Sequence, residues 1–119
     1  MADDPSRDLP RDPQDLERLL IARQWAGDID GMAALYEPDA VLDDGEGHLT
    51  VGKKAIRAFF AAVTASGKTF AAGKQSPALI SGDLALTSTR LPDGSVTAEV
   101  ARRQSDGTWL WVIDRFSVL

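Results

Sequence analysis

Three carboxylates in this chain are placed where they could move protons. Asp44 closes the run Asp39-Ala40-Val41-Leu42-Asp43-Asp44, while Glu99 and Asp114 fall on C-terminal segments that alternate apolar and polar residues. A carboxyl in an apolar surround binds its proton more tightly, by up to several pKa units, while a better solvated neighbour stays ionised. Two carboxyls split in this way supply an acid and a base, each worth about 10²- to 10⁴-fold in rate. Such a pair can remove a proton beside a carbonyl, as in isomerisation, cyclisation or dehydration, if a donor meets the developing oxyanion. That chemistry requires no metal and no cofactor.

Each candidate also has a plain structural reading. Asp44 precedes Gly45, the pairing of a hairpin tip. Asp114 has Arg103, Arg90 and Arg115 as candidate partners for an inert ion pair. Glu99 faces water if its strand slips by one residue. His48 is the sole histidine, a proton shuttle if it points inward and an edge residue otherwise. The residues expected around a small hydrophobic ligand are Leu20, Gln24, Trp25, His48, Phe59, Phe60, Val112 and Phe116, although aromatic residues at helical spacing serve a core first.

Composition narrows the alternatives. The 119 residues, 44% hydrophobic and 26% charged, suit one globular domain rather than a disordered or fibrous chain. With no cysteine and one histidine, disulfides, thiolate zinc sites, cysteine nucleophiles and multi-histidine metal sites are excluded. A net charge of -5 disfavours nucleic acid and anionic lipid as partners. Apolar runs stay far short of the roughly 18 residues a bilayer span needs, and the N-terminus is acidic rather than signal-like, so a cytoplasmic protein is expected. The partner is then a small molecule or another copy.

The elements that must position these residues can be read from spacing. Residues 1–12, rich in Asp and Pro, form a loose acidic tail, and 13–119 form the single domain. A helix starts at Asp12-Pro13, with Asp15 in its first turn, and runs to Ala26, where Gly27 stops it. Asp28 caps a second helix through Tyr36, which Pro38 ends. Ala40–Leu42 and His48–Val51 make a hairpin, and a third helix spans Lys53–Ser66. Beyond Thr69 the pattern becomes an antiparallel meander with turns at Pro92-Asp93-Gly94 and Asp106-Gly107. Period two places Glu99, Ala101, Arg103, Leu110, Val112, Asp114 and Phe116 on the concave face, with Trp109, Trp111, Ile113 and Arg115 opposite. Two outward tryptophans need cover, so a homodimer through the sheet face is expected, with Arg102 and Arg115 around it. The layout is α+β, three N-terminal helices packed on a curved antiparallel sheet.

The stretch Gly27-Asp28-Ile29-Asp30-Gly31-Met32-Ala33-Ala34-Leu35-Tyr36, the run 39–44, and Gly52-Lys53-Lys54-Ala55-Ile56-Arg57-Ala58-Phe59-Phe60 together resemble the NTF2-like superfamily, as does the closing hairpin from Glu99 to Phe116. That superfamily includes ketosteroid isomerases and SnoaL-like polyketide cyclases. The resemblance implies a cone-shaped fold and a small-molecule pocket. It places the isomerase base on Asp44, a carboxyl donor on Glu99 and a supporting aromatic on Phe60. The position of the oxyanion-hole tyrosine falls on Leu20. Similarity to limonene epoxide hydrolase implies instead that Asp114 and Arg103 activate water. A third reading is a non-catalytic dimeric binding or assembly module.

Overall fold

The structure, a computed structural model, describes residues 4–119; the first three residues of the expected tail lie outside the described residues. Its helices are α1 (Asp15–Trp25), α2 (Ile29–Ala33) and α3 (Lys53–Ala65). Its strands are β1 (Tyr36–Asp43), β2 (Leu49–Val51), β3 (Lys74–Gln75), β4 (Leu79–Ser81), β5 (Leu84–Thr87), β6 (Thr89–Arg90), β7 (Ala98–Arg103) and β8 (Trp109–Arg115). Six strands form one sheet in the order β2-β1-β8-β7-β5-β4, and β3 pairs with β6 apart from it. Two helices precede the sheet and the third follows its first hairpin. The sheet is mixed rather than antiparallel, because β1 runs parallel to β8. None of the described helices is long and apolar enough to cross a membrane.

The local signals explain the helix ends. The Asp15 carboxylate accepts the Arg11 and Asp12 amides while Asp12 accepts the Gln14 amide, which together fasten the start of α1. Asp28 caps α2 by accepting the Gly31 amide at 2.8 Å. This helix is shorter than its spacing suggests. The Leu35 carbonyl is taken by the Trp111 amide at 2.8 Å, so the chain joins β8 and Tyr36 begins a strand. Pro38 therefore lies within β1, where pairing with β8 is irregular between Tyr36 and Val41 and no amide is needed.

The tail expected to be loose is, over residues 4–10, drawn onto α1. Arg23 is 7% exposed, and its guanidinium donates to the carbonyls of Ser6, Asp8 and Gly31. Three charge-assisted bonds offset the desolvation of the cation. The Trp109 amide adds a bond to the Pro10 carbonyl at 2.7 Å.

One irregularity decides which side chains face the core. Val100 pairs with Ile113 but the next residue, Ala101, pairs with Trp111, leaving Val112 as an extra residue in β8. This bulge reverses the alternation. Trp109 and Trp111 therefore point inward with Asp114, at 5%, 2% and 4% exposure, and not to the opposite face. They pack with Leu16, Leu19 and Leu20 of α1, Ile56 and Phe60 of α3, and Leu42 of β1. The outer face carries an aliphatic row instead. Leu79, Leu86, Val100, Ile113, Val41 and Val51 are successive ladder partners across all six strands.

Replacing Arg23 with Met should cost about 2–4 kcal/mol in urea unfolding, since three carbonyls lose a charged donor. Amide exchange over residues 6–10 should quicken in the same variant. Unchanged exchange there would show that Arg23 does not hold the segment.

Candidate active site

The cone encloses a cavity of about 80 Å³. Leu20, Phe70, Leu91, Trp111 and Phe116 form its apolar wall, and three carboxyls project from three elements: Glu17 from α1, Glu99 from β7 and Asp114 from β8. None of the lining residues is basic. Glu17 reaches the cavity because it lies one helical turn before Leu20 on the same face. Glu99 and Asp114 are direct cross-strand partners, each 4% exposed. Two like charges opposed on one sheet face repel, so this geometry holds protons rather than a pair of carboxylates.

Two hydroxyl donors organise the carboxyls. Tyr36, fully buried, donates its phenol to Asp114 Oδ2 at 2.5 Å. Thr87, the ladder partner of Glu99, donates to its Oε1 at 2.8 Å. Burial raises the Asp114 carboxyl well above its ordinary range and the nearby Glu99 charge raises it further, against the pull of the Tyr36 bond. Burial also raises Glu99, opposed by the Thr97 and Thr87 hydroxyls. Glu17 is pushed up to about 7 by burial and then by Glu99. The phenol of Tyr36 is raised well above its usual value, first by burial and next by the Asp114 charge. The buried Trp111 Nε1–H on the same wall lacks a partner among the described residues, a local cost of about 1–3 kcal/mol.

The arginines considered as partners for Asp114 go elsewhere. Arg103 bonds Asp83 at 2.7 Å and lies over the Trp109 ring, while Arg115 pairs with Asp43 at 3.4 Å. Arg90 is exposed on β6. The inert ion pair is therefore absent, and so is the Asp114–Arg103 unit that a water-activating hydrolase needs. Arg103, placed on the concave face by period two, is exposed at the sheet margin.

Asp44 sits outside the inner cavity. It lines an outer groove of about 230 Å³ with Glu46, Phe59, Lys68, Phe70 and Phe116. Its carboxylate accepts the Glu46 and His48 amides and contacts His48 Nδ1 at 3.1 Å. The Glu46 amide, ahead of those His48 bonds, holds it below the usual carboxylate range. The turn-forming reading of Asp44 thus has its bonds in place. His48 is exposed on the tip and does not turn inward.

Of the other expected ligand contacts, Leu20 and Phe116 line the cavity, Phe59 lines the groove, and Phe60 is buried against Tyr36. Trp25 is 69% exposed because it falls on the outer side of the last turn of α1. Val112 is the bulge residue and leaves the concave wall to Trp111. Gln24 spends its amide on the Phe70 backbone. Several residues of the site are not among those the sequence singles out. Tyr36 falls at the expected end of the second helix and Trp111 on the expected opposite face, while Glu17, Phe70 and Thr87 carry no mark of their own. The one-turn spacing of Glu17 from Leu20 is the available signal for Glu17.

The sequence model of the SnoaL-like domain matches residues 17–118, and the chain belongs to that family. Its fold is similar to that of a putative calcium/calmodulin-dependent protein kinase type II association domain from Thiobacillus denitrificans, at TM-score 0.69 and 17% identity, covering 92% of this chain and 96% of that one. It is similar too to a ketosteroid isomerase-like protein from Erwinia carotovora atroseptica, at TM-score 0.64 and 20% identity over 86% and 89% of the two chains. A Nostoc punctiforme protein of unknown function with a cystatin-like fold matches at TM-score 0.64 and 21% identity, over 86% and 84%. No curated protein matches the chain. These likenesses establish the fold as NTF2-like.

The raised Glu17 carboxyl makes stability depend on pH. Because the fold prefers its protonated form, the favourable contribution is complete below about pH 4.5 and is lost as pH rises through about 7. Glu17→Gln should therefore match the wild type at pH 4 and exceed it by up to about 3 kcal/mol at pH 8. Urea unfolding across that range checks it, and parallel curves for the two proteins would contradict the placement of Glu17.

Proposed function

We propose that the inner cavity is a cofactor-independent proton-transfer site for a small, largely apolar carbonyl compound, of the isomerase, cyclase or lyase type. The observation that carries this reading is the convergence of three carboxyls from three elements on one apolar cavity with no cation among them. Ionised Glu17 takes the proton from the carbon beside the carbonyl, and the carbonyl oxygen gains a hydrogen bond from neutral Asp114 as its charge grows. Tyr36 fixes Asp114 for that task and keeps its second oxygen free for the ligand. The proton on Glu17 then returns to the same or a neighbouring carbon, so the step consumes nothing. A base with a pKa near the working pH is both sufficiently ionised and sufficiently strong, and Glu17 meets that requirement.

The test is exchange of the α-hydrogens of cyclohexanone in deuterated buffer, followed by proton NMR. Catalysed exchange should rise with pH through about 7 as Glu17 ionises. Glu17→Gln should lower it by about 10²- to 10⁴-fold, and Asp114→Asn should lower it without abolishing ketone binding. Exchange no faster than in buffer alone would sink the reading.

We further propose that two copies pair through the outer sheet face. The support is the aliphatic row, in which Leu79, Leu86, Ile113 and Val51 are 69%, 48%, 48% and 62% exposed. Beside it, Arg102 is matched by Glu37 and Arg115 by Asp43, so these two arginines bring no uncompensated charge to a second copy. Ile113→Lys, at the middle of the row, should convert a dimer to a monomer in light scattering. A wild-type monomer at high micromolar concentration would contradict the pairing.

A further inference from the structure

The inner cavity and the outer groove share two residues, Phe70 and Phe116. Their rings are 5.5 Å apart, Phe70 stands 5.8 Å from Phe60, and Phe59 closes the set at 5.3 Å from Phe60 and 5.9 Å from Phe116. All four phenylalanines of the chain thus make one closed ring of contacts, in which Phe70 and Phe116 line both hollows and Phe59 lines the groove. At about 80 and 230 Å³, each hollow is smaller than a site for a typical organic ligand. Joined, they reach the lower end of that range, roughly 300 Å³ and above.

Phe70 is the member of the ring that stands farthest from a helix or strand. Phe59 and Phe60 are on α3 and Phe116 directly follows β8, whereas Phe70 lies in the connection from α3 to β3. That connection leaves α3 through Gly67, whose φ of +81° suits glycine, and ends at Gly73, where a Cβ would collide with the Arg90 carbonyl oxygen. Between these fixed ends its backbone is held at Phe70 itself. The Phe70 amide donates to Gln24 Oε1 at 2.5 Å, and Gln24 Nε2 donates to the Phe70 carbonyl at 2.9 Å. A side-chain amide clasping both polar groups of one loop residue fixes that residue's ring more firmly than packing alone.

We infer that Phe70 is the specificity-determining gate of this pocket, shutting the acidic inner cavity off from the groove, and that Gln24 is the positioning residue that holds the gate closed. This rests on the proton-transfer reading of the inner cavity and adds the size class of its ligand. With the gate seated, the site takes a single-ring ketone and keeps Glu17, Glu99 and Asp114 dry. With it displaced, the cavity opens toward Asp44 and accepts a molecule long enough to span both hollows.

The experiment compares cyclohexanone with the two-ring ketone 2-decalone, with binding read from amide shifts at Trp111, Glu99 and Phe116. Wild type should bind cyclohexanone more tightly than 2-decalone. Phe70→Ala should move the ratio of the two dissociation constants by at least about tenfold toward 2-decalone. Gln24→Ala, which keeps the aromatic ring, should move it in the same direction by less. Its folded spectrum protects the test should Phe70→Ala unfold. A ratio unchanged in the folded variants, with cyclohexanone still bound, overturns the gate and leaves the proton-transfer site standing. If cyclohexanone shifts none of the three signals in wild type, both readings fall.

Discussion

Glu99 and Asp114 face each other across one rung of the β7–β8 ladder, buried and without a cation. The rest of the site follows from that constraint. Ionising both groups would combine desolvation with like-charge repulsion, so the structure holds protons there and supplies hydroxyl donors to whichever oxygen carries charge. Tyr36 and Thr87 are those donors. Glu17, at the third corner, feels the same burial and the same Glu99 charge, but from a half-exposed position that leaves it able to titrate in the neutral range.

A site of this kind lasts only if water is kept scarce, and the aromatic residues provide for that. Trp111 and Phe60 flank the Tyr36 ring, and Phe70 and Phe116 stand against each other on the cavity wall. Aromatic pairs contribute about 0.5–1.5 kcal/mol each beyond the area they bury. That contribution opposes the destabilisation which the three acids bring as pH rises. The carboxyls therefore trade stability for proton affinity, a trade commonly found where residues act on a ligand rather than on the fold.

Much of the scaffold was legible in the sequence because its signals are local. Asp12, Asp15 and Asp28 mark helix starts, Gly27 and Gly67 mark ends, and the long α3 was placed to within a residue. What failed was non-local. The parallel pairing of β1 with β8 drew Tyr36 out of a helix, and no spacing rule reports that pairing. The bulge at Val112 turned Trp109 and Trp111 inward, and one inserted residue is invisible to a period-two count. Glu99 and Asp114 lie where alternation put them, since both stand on the same side of the bulge. Glu17 was hidden because a charged residue between buried leucines looks solvated unless its neighbour one turn on is known to face a cavity. Residues 4–10 of the segment that looked loose have an anchor, Arg23, whose role as a buried donor to carbonyls leaves no mark in composition.

The central claim is that this apolar cavity stores protons at neutral pH, and the carboxyl carbons report on it directly. In a carbon-detected NMR titration from pH 3 to pH 10, Asp114 should titrate well above its ordinary value, Glu99 should titrate above its ordinary value and Glu17 should show its midpoint at about 7. Three midpoints near 4, as for free side chains, would contradict the account.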